Sequence, residues 1–117
     1  MSGAVLEVPA DPRMGVTLRA FAAAVANDLG ALPDQVDDLA LAVSELLASA
    51  IEGGSRRLRI ELLEDGDGWT LRADGIGDIG SAPADLPYRR VDLLMGLFPS
   101  ISIEGDKATI RSATRVR

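Results

Sequence analysis

Hydrophobic residues recur at intervals of three and four in three parts of the chain, a spacing that places side chains on one face of a helix. The longest of these parts is residues 32–54, whose polar residues fall on a separate face. The other two are residues 14–29 and 88–98. The pattern therefore predicts three amphipathic helices.

Five shorter segments have the composition of β-strands, and apolar and polar side chains alternate along the later ones. In one of them, Leu58, Ile60 and Leu62 fall on one face and charged side chains on the other. Turns rich in glycine and aspartate separate the paired segments and indicate antiparallel hairpins. The predicted strands are residues 4–8, 57–62, 69–74, 100–103 and 108–112.

The predicted elements follow the order strand, helix, helix, hairpin, loop, helix, hairpin. This order predicts an α/β fold, a two-layer sandwich with three helices on one face of a mixed, mostly antiparallel five-stranded sheet. A chain of 117 residues is long enough for one hydrophobic core, so residues 1–117 are predicted to form a single domain. The long loop at residues 75–87 is of a kind that often binds ligands or is disordered.

Composition and charge exclude several kinds of site. The sequence has no histidine and no cysteine, which removes imidazole and thiol catalysis, disulfides and the usual zinc sites, and no metal site is predicted. A formal charge of −6 without a basic run argues against a nucleic-acid ligand.

No signal peptide is visible, and no apolar run reaches the roughly 20 residues of a membrane span. The sequence therefore predicts a cytoplasmic protein with no membrane partner.

Residues 42–54, AVSELLASAIEGG, resemble the first motif of the histidine-kinase-like ATPase fold, also called the GHKL or Bergerat fold. The similarity is to the branch of small bacterial anti-sigma factors that are also serine-protein kinases. In that branch the helix reads A-V-S-E-L, two variable residues, N-A, two more, and H-G. Glu45 keeps the acidic position, whereas Ser49 replaces the asparagine and Glu52 replaces the histidine. The predicted order of elements is similar to that fold over nearly the whole chain.

By this resemblance, the helix motif carries the catalytic and metal-binding groups of the pocket. Glu45 matches the position of the family's general base. Ser49 stands where the family's asparagine completes the magnesium shell, and a hydroxyl is a shorter and weaker ligand than an amide carbonyl. The resemblance therefore implies a retained base and an impaired metal position.

The second motif of the family, D-x-G-x-G, resembles the segment ADGIG at the end of a predicted strand. Gly75 and Gly77 are kept, but Ala73 replaces the aspartate that reads adenine. Asp74 comes one residue late, and because side chains alternate along a strand it should point away from the face that Ala73 occupies. A local bulge at this point would re-aim it.

The third motif of the family, a G-x-G-L segment whose amides hold phosphate, corresponds to Arg90-Val91-Asp92-Leu93. Side chains at Arg90 and Asp92 block a close backbone approach, and Asp92 would repel phosphate. The adenine, metal and phosphate contacts implied by the resemblance are therefore all altered. ATP and magnesium are expected as cofactors if this degenerate pocket functions, and otherwise no cofactor is expected.

These residues also have an interpretation that involves no nucleotide. Glu45 would be a solvated carboxylate on a helix surface, and Ser49 a small polar residue near the sheet. Gly75 and Gly77 would form an ordinary turn. Arg89 or Arg90 could form a salt bridge with a phosphate, but two arginines at a helix start are usually solvated.

Three functional hypotheses follow from the resemblance. The first is a regulator that binds a sigma factor or an anti-sigma-factor antagonist, without kinase activity and commonly as a homodimer. The second is an active serine-protein kinase that uses Glu45 as base, with Asp74 or Asp78 recruited for adenine or metal. The third is a structural subunit that dimerises with an active paralogue. The sequence leaves open whether the protein is an enzyme.

Overall fold

The computed structural model describes residues 3–66, 68–79 and 86–112. A short 3₁₀ turn at Pro12–Met14 precedes the first helix. Part of the predicted loop, residues 80–85, lies outside the described residues. The described elements are β1 (Gly3–Pro9), α1 (Gly15–Asp28), α2 (Pro33–Glu52), β2 (Arg57–Asp65), β3 (Gly68–Asp74), α3 (Arg90–Leu97), β4 (Ser102–Glu104) and β5 (Lys107–Arg111).

The strands form one open sheet in the order β1-β2-β3-β5-β4, and each of these neighbouring pairs is antiparallel. The hairpins β2-β3 and β4-β5 are those that the sequence predicts. The segment that joins β1 to β2 contains α1 and α2, and α3 lies between β3 and β4. The structure confirms the predicted α/β two-layer fold with a five-stranded sheet and three helices. The sheet is antiparallel at every described strand pair, so the prediction of a mixed sheet is wrong in that respect.

The inner face of the sheet is the floor of the hydrophobic core. Leu58, Ile60 and Leu62 alternate along β2 and have no exposed surface. The register sets Ala73 and Leu71 of β3 opposite the last two of them, so apolar side chains from adjacent strands meet on one face. The helices complete the core with buried side chains that include Leu18, Ala22, Ala26, Leu39, Ala42, Val43, Leu46 and Ala50.

Helix α2 is the central helix of the layer, and it contacts α1, α3 and β2. It begins after Leu32, whose backbone N–H donates to Gln35 Oε1 at 3.0 Å. It ends at Glu52, and Gly54 just beyond has φ +73° and lets the next amide, that of Ser55, donate to the Ala50 carbonyl at 2.9 Å. This left-handed termination needs glycine and turns the chain back toward the sheet.

The outer face of the sheet is polar and bears charges of alternating sign. We call the set that crosses all five strands the charge row, and its members occupy successive cross-strand positions. Exposed ion pairs lie along this face, such as the pair between Lys107 and Asp74 at 3.9 Å. No helix in the described ranges is both long and apolar enough to cross a membrane. The charge row consists of Glu7, Arg59, Asp74, Lys107 and Glu104.

Candidate functional site

Helix α2 buries two of the polar side chains on which the family resemblance depends. Glu45 is only 8% exposed and Ser49 only 3% exposed. The interpretation of Glu45 as a solvated surface carboxylate is therefore wrong. A buried carboxylate is costly unless it is paired and hydrogen-bonded, so its neighbours decide what it does.

Arg90, the first residue of α3, is the partner of that carboxylate. Its Nη1 donates to Glu45 Oε2 at 2.5 Å, and both side chains are about nine-tenths buried. On its other edge, Nε and Nη2 donate to the two oxygens of Glu52 at 3.1 and 2.7 Å. One guanidinium thus bridges two carboxylates that lie two turns apart on α2, and the expectation of a solvated Arg90 is wrong.

Tyr88 supplies the remaining contact to the buried carboxylate. Its hydroxyl donates to Glu45 Oε1 at 3.0 Å, so both oxygens of Glu45 are engaged by protein groups. We call these four residues, Glu45, Glu52, Tyr88 and Arg90, the Arg90 cluster. It joins α2 to the start of α3 through charge-assisted hydrogen bonds, which are the stronger class of such bonds.

The protonation behaviour of the cluster follows from these contacts. The hydrogen bonds from Arg90 hold the pKa of Glu52 below its usual value, so Glu52 stays ionised. The hydrogen bond with Glu52 is also the main cause of the raised pKa of Arg90. The hydrogen bond to the Glu45 carboxylate raises the pKa of Tyr88, because it favours the protonated phenol.

Ser49 is committed to a contact with the segment that follows β3. Its Oγ donates to the backbone carbonyl of Ile76 at 2.6 Å. Gly77 has φ +71°, and a Cβ there would lie 3.0 Å from the Ser49 carbonyl oxygen. A Cβ on Gly53 would lie 3.0 Å from the Gly77 Cα, so the loop and the end of α2 are in close backbone contact.

In the segment predicted to read adenine, one side chain packs in the core and the glycine that follows forms a backbone turn. Ala73 is buried on the inner face of the sheet, and Asp74 lies on the opposite face in the charge row. The predicted outward direction of Asp74 is confirmed, and no bulge re-aims it. Gly75 has φ +90°, and a Cβ at that position would collide with the Arg57 carbonyl oxygen. The amides of Gly75 and Ile76 both donate to the Asp106 carbonyl, at 3.0 and 2.9 Å.

The residues that the sequence places at the nucleotide pocket therefore fall into two groups. Glu45, Ser49 and Gly77 lie along one side of α2 or against it. Ala73 and Asp74 point to opposite faces of the sheet, so they do not act together. The predicted set does not form a single pocket lining.

These donors do not fit a magnesium–nucleotide complex. Both oxygens of Glu45 accept hydrogen bonds from protein groups, and the Ser49 hydroxyl donates to a carbonyl. Magnesium requires near-octahedral oxygen ligands that are free to coordinate it. The guanidinium of Arg90 sits between the two carboxylates, at a position where the family's third motif has glycine. Within the described residues, no cluster of three or more acidic side chains is arranged to hold a metal ion.

Sequence reasoning missed Tyr88 and the burial of Arg90. A signal was nevertheless present in the two departures from the family motifs that Glu52 and Arg90 represent. Each introduces a charge, and the charges are opposite in sign, as expected for two positions that contact each other. Compared separately with the nucleotide, each departure indicates only a lost contact, and the contact between them becomes apparent only when the two positions are compared with each other.

Comparison with models of known protein families finds no match to this sequence, and comparison with curated proteins finds none either.

Proposed function

We propose that this protein is an anti-sigma-factor-like regulator that binds a protein partner and has lost the nucleotide chemistry of the family it resembles. The observation that carries the proposal is the guanidinium of Arg90, which bonds to both Glu45 and Glu52. An ion-pair network at this place, with Glu45 and Arg90 buried and Glu52 at its exposed edge, supports a scaffold whose α2 and α3 are fixed to each other without ATP. The partner in this proposal is a sigma factor or an anti-sigma-factor antagonist.

The complementarity of the substitutions supports this choice over simple decay of a nucleotide site. Decay would leave unrelated side chains at the motif positions. Here Glu52 and Arg90 form a two-bond contact, and Arg90 also donates a hydrogen bond to the retained Glu45. A bidentate arginine–carboxylate contact of this kind gives fixed geometry as well as energy. The altered positions therefore have a shared structural role.

The kinase alternative requires a different arrangement of the same residues. A general base must accept a proton from the attacking hydroxyl, so one oxygen of Glu45 would have to be released by Tyr88 or Arg90. Asp74, one of the two aspartates proposed as substitutes, lies on the outer face of the sheet and pairs with Lys107. These contacts favour the binding module over the kinase.

The proposal is tested by measuring complex formation between the purified chain and sigma factors or anti-sigma-factor antagonists from the same organism. Size-exclusion chromatography with light scattering gives the stoichiometry and shows whether the chain is a homodimer. We expect a complex with one of these two classes, of equal affinity with and without ATP and magnesium. The variant Glu45→Gln should retain it, since the carboxylate is buried away from a partner.

Two results would contradict the proposal. One is the absence of a complex with every tested member of both classes. The other is transfer of phosphate from ATP to a serine of the partner that is lost in Glu45→Ala, which would establish the kinase. The matched control for the Glu45 variants is Lys107→Met, which removes one exposed charge from the charge row.

A further inference from the structure

A groove of about 350 Å³ lies between α1 and the second half of α2, and it meets the Arg90 cluster at Glu52. Its floor is apolar and is formed by Leu47, Ala48 and Ile51. Sites for small molecules typically enclose about 300–1,000 Å³ and combine apolar walls with a few placed polar groups. The groove is therefore large enough for a small ligand with an apolar body.

One end of this groove presents a cation. The Arg19 guanidinium lies against Gly15, where a Cβ would be only 3.1 Å from its Nη1, so the absence of a side chain there makes room for it. Nη1 donates to Ser44 Oγ at 3.3 Å. Among the described ion pairs none involves Arg19. A guanidinium has five N–H donors, so most of them are available to an anion.

The other end of the groove presents a carboxylate of the Arg90 cluster. One guanidinium faces two carboxylates in that cluster, so this end of the groove keeps a net negative charge. Glu52 lines it and is bonded through both oxygens to Arg90. An anionic ligand would avoid that end and turn its charge toward Arg19. The polarity of the groove thus fixes the orientation of a ligand that has one negative end and one apolar end.

We propose that this groove binds a small apolar monocarboxylate, with its carboxylate on Arg19 and its hydrocarbon part on Leu47, Ala48 and Ile51. A charge-assisted contact between a guanidinium and a carboxylate matches the geometry of both groups. The volume lies within the range of small-molecule sites. This site is independent of the proposed regulatory function.

The test is a titration of the full chain with sodium hexanoate, followed by the backbone amide shifts in NMR spectra. We expect saturable shifts confined to the start of α1 and the second half of α2. Hexan-1-ol has the same hydrocarbon chain without the charge. It should shift the same amides but bind more weakly than hexanoate. Arg19→Gln should weaken hexanoate by about tenfold and leave hexanol unchanged, because it removes only a hydrogen bond to a charged group.

Two further variants separate the groove from general effects of charge and folding. Ala48→Leu fills the apolar floor and should abolish the shifts for both probes, while its spectrum shows that the fold is kept. Arg56→Gln removes an exposed arginine outside the groove and should change neither titration.

Three outcomes would overturn the proposal. Hexanoate binding that is unchanged in Arg19→Gln would remove the cation from the site. Shifts spread over the surface arginines would indicate non-specific attraction. Absence of localised shifts with hexanoate, together with protection of the same amides by a protein partner, would assign the groove to a macromolecule.

Discussion

The Arg90 cluster and the charge row contain the same kinds of side chains, but the two regions differ in exposure. The ion pair between Arg90 and Glu45 has side chains that are 9% and 10% exposed. In the pair between Lys107 and Asp74 the corresponding values are 67% and 48%, and the charged atoms are 3.9 Å apart. The first pair is buried and its charged atoms are close together, whereas the second pair is exposed to solvent and its charged atoms lie farther apart.

This difference determines what each region contributes. Exposed pairs are screened by water and salt and are typically worth about 0–1 kcal/mol. A buried ion pair adds little to the free energy of unfolding compared with an apolar pair in the same place. Removing one partner leaves an unpaired buried charge, however, and lowers the free energy of unfolding by about 3–5 kcal/mol. The charge row therefore keeps the outer sheet face polar, whereas the Arg90 cluster fixes α3 against α2.

The largest expected effect comes from Arg90→Met, which leaves the Glu45 carboxylate buried with only Tyr88 as a partner. We expect the free energy of unfolding to fall by about 3 kcal/mol, measured by urea denaturation at neutral pH. The matched variant in the charge row, Lys107→Met, should change it by no more than about 0.5 kcal/mol. Equal effects of the two variants would contradict the distinction between the regions.

A double-mutant cycle gives the next largest effect. Glu45→Gln combined with Arg90→Met should be less destabilising than the sum of the single changes, with a coupling energy of about 2 kcal/mol. The exposed cycle, Asp74→Asn with Lys107→Met, should give a coupling energy below about 0.5 kcal/mol. Urea denaturation of all the variants supplies both values. Additive behaviour at Glu45 and Arg90 would show that the pair does not act as a unit.

Ser49→Ala should have a smaller effect, since it removes one hydrogen bond between neutral groups. The Ile76 carbonyl would lose the hydroxyl that donates to it at 2.6 Å, and the free energy of unfolding should fall by about 1 kcal/mol. Ser44→Ala, on a half-buried part of the same helix, is a suitable comparison. If Ser49→Ala lowers the free energy of unfolding no more than Ser44→Ala does, the Ser49 hydrogen bond does not contribute significantly to holding the loop against the helix.

The smallest expected effect is a dependence on pH that comes from Glu52. Arg90 lowers the pKa of this group from its ordinary 4.5, so the unfolded chain takes up its proton at a higher pH than the folded chain does. The resulting stability is present above pH 4.5 and is lost as the pH falls through the folded-state pKa. The stability difference between the natural chain and Glu52→Gln should therefore shrink as the pH is lowered from neutral to below 4.5. A constant difference over this range would contradict the role of Arg90.

The sequence predicts the fold well, because period and turn chemistry are local properties. The alternation of Leu58, Ile60 and Leu62 predicts a strand with one buried face, and all three are fully buried. The same alternation correctly places Asp74 on the outer face. These inferences need no knowledge of which distant residues meet.

The candidate site could be predicted only in part, because its properties depend on contacts between distant positions. Glu45 and Arg90 are 45 residues apart in the chain, and both are buried where they bond to each other. Helical periodicity places Glu45 on a polar face, which predicts exposure if α3 is ignored. The sequence predicts that Ser49 lies near the sheet, but its partner, the Ile76 carbonyl, is a backbone group that no side-chain pattern reveals.

The central claim is that the Arg90 cluster stands in place of nucleotide chemistry. Its most direct test is titration calorimetry of the purified chain with ATP and magnesium, repeated with ADP. We predict no saturable heat at millimolar nucleotide, because Glu45, Glu52 and Ser49 are engaged by protein groups. Micromolar binding that depends on magnesium would contradict the account, since it would require Arg90 to leave both carboxylates and the site to act as a nucleotide pocket.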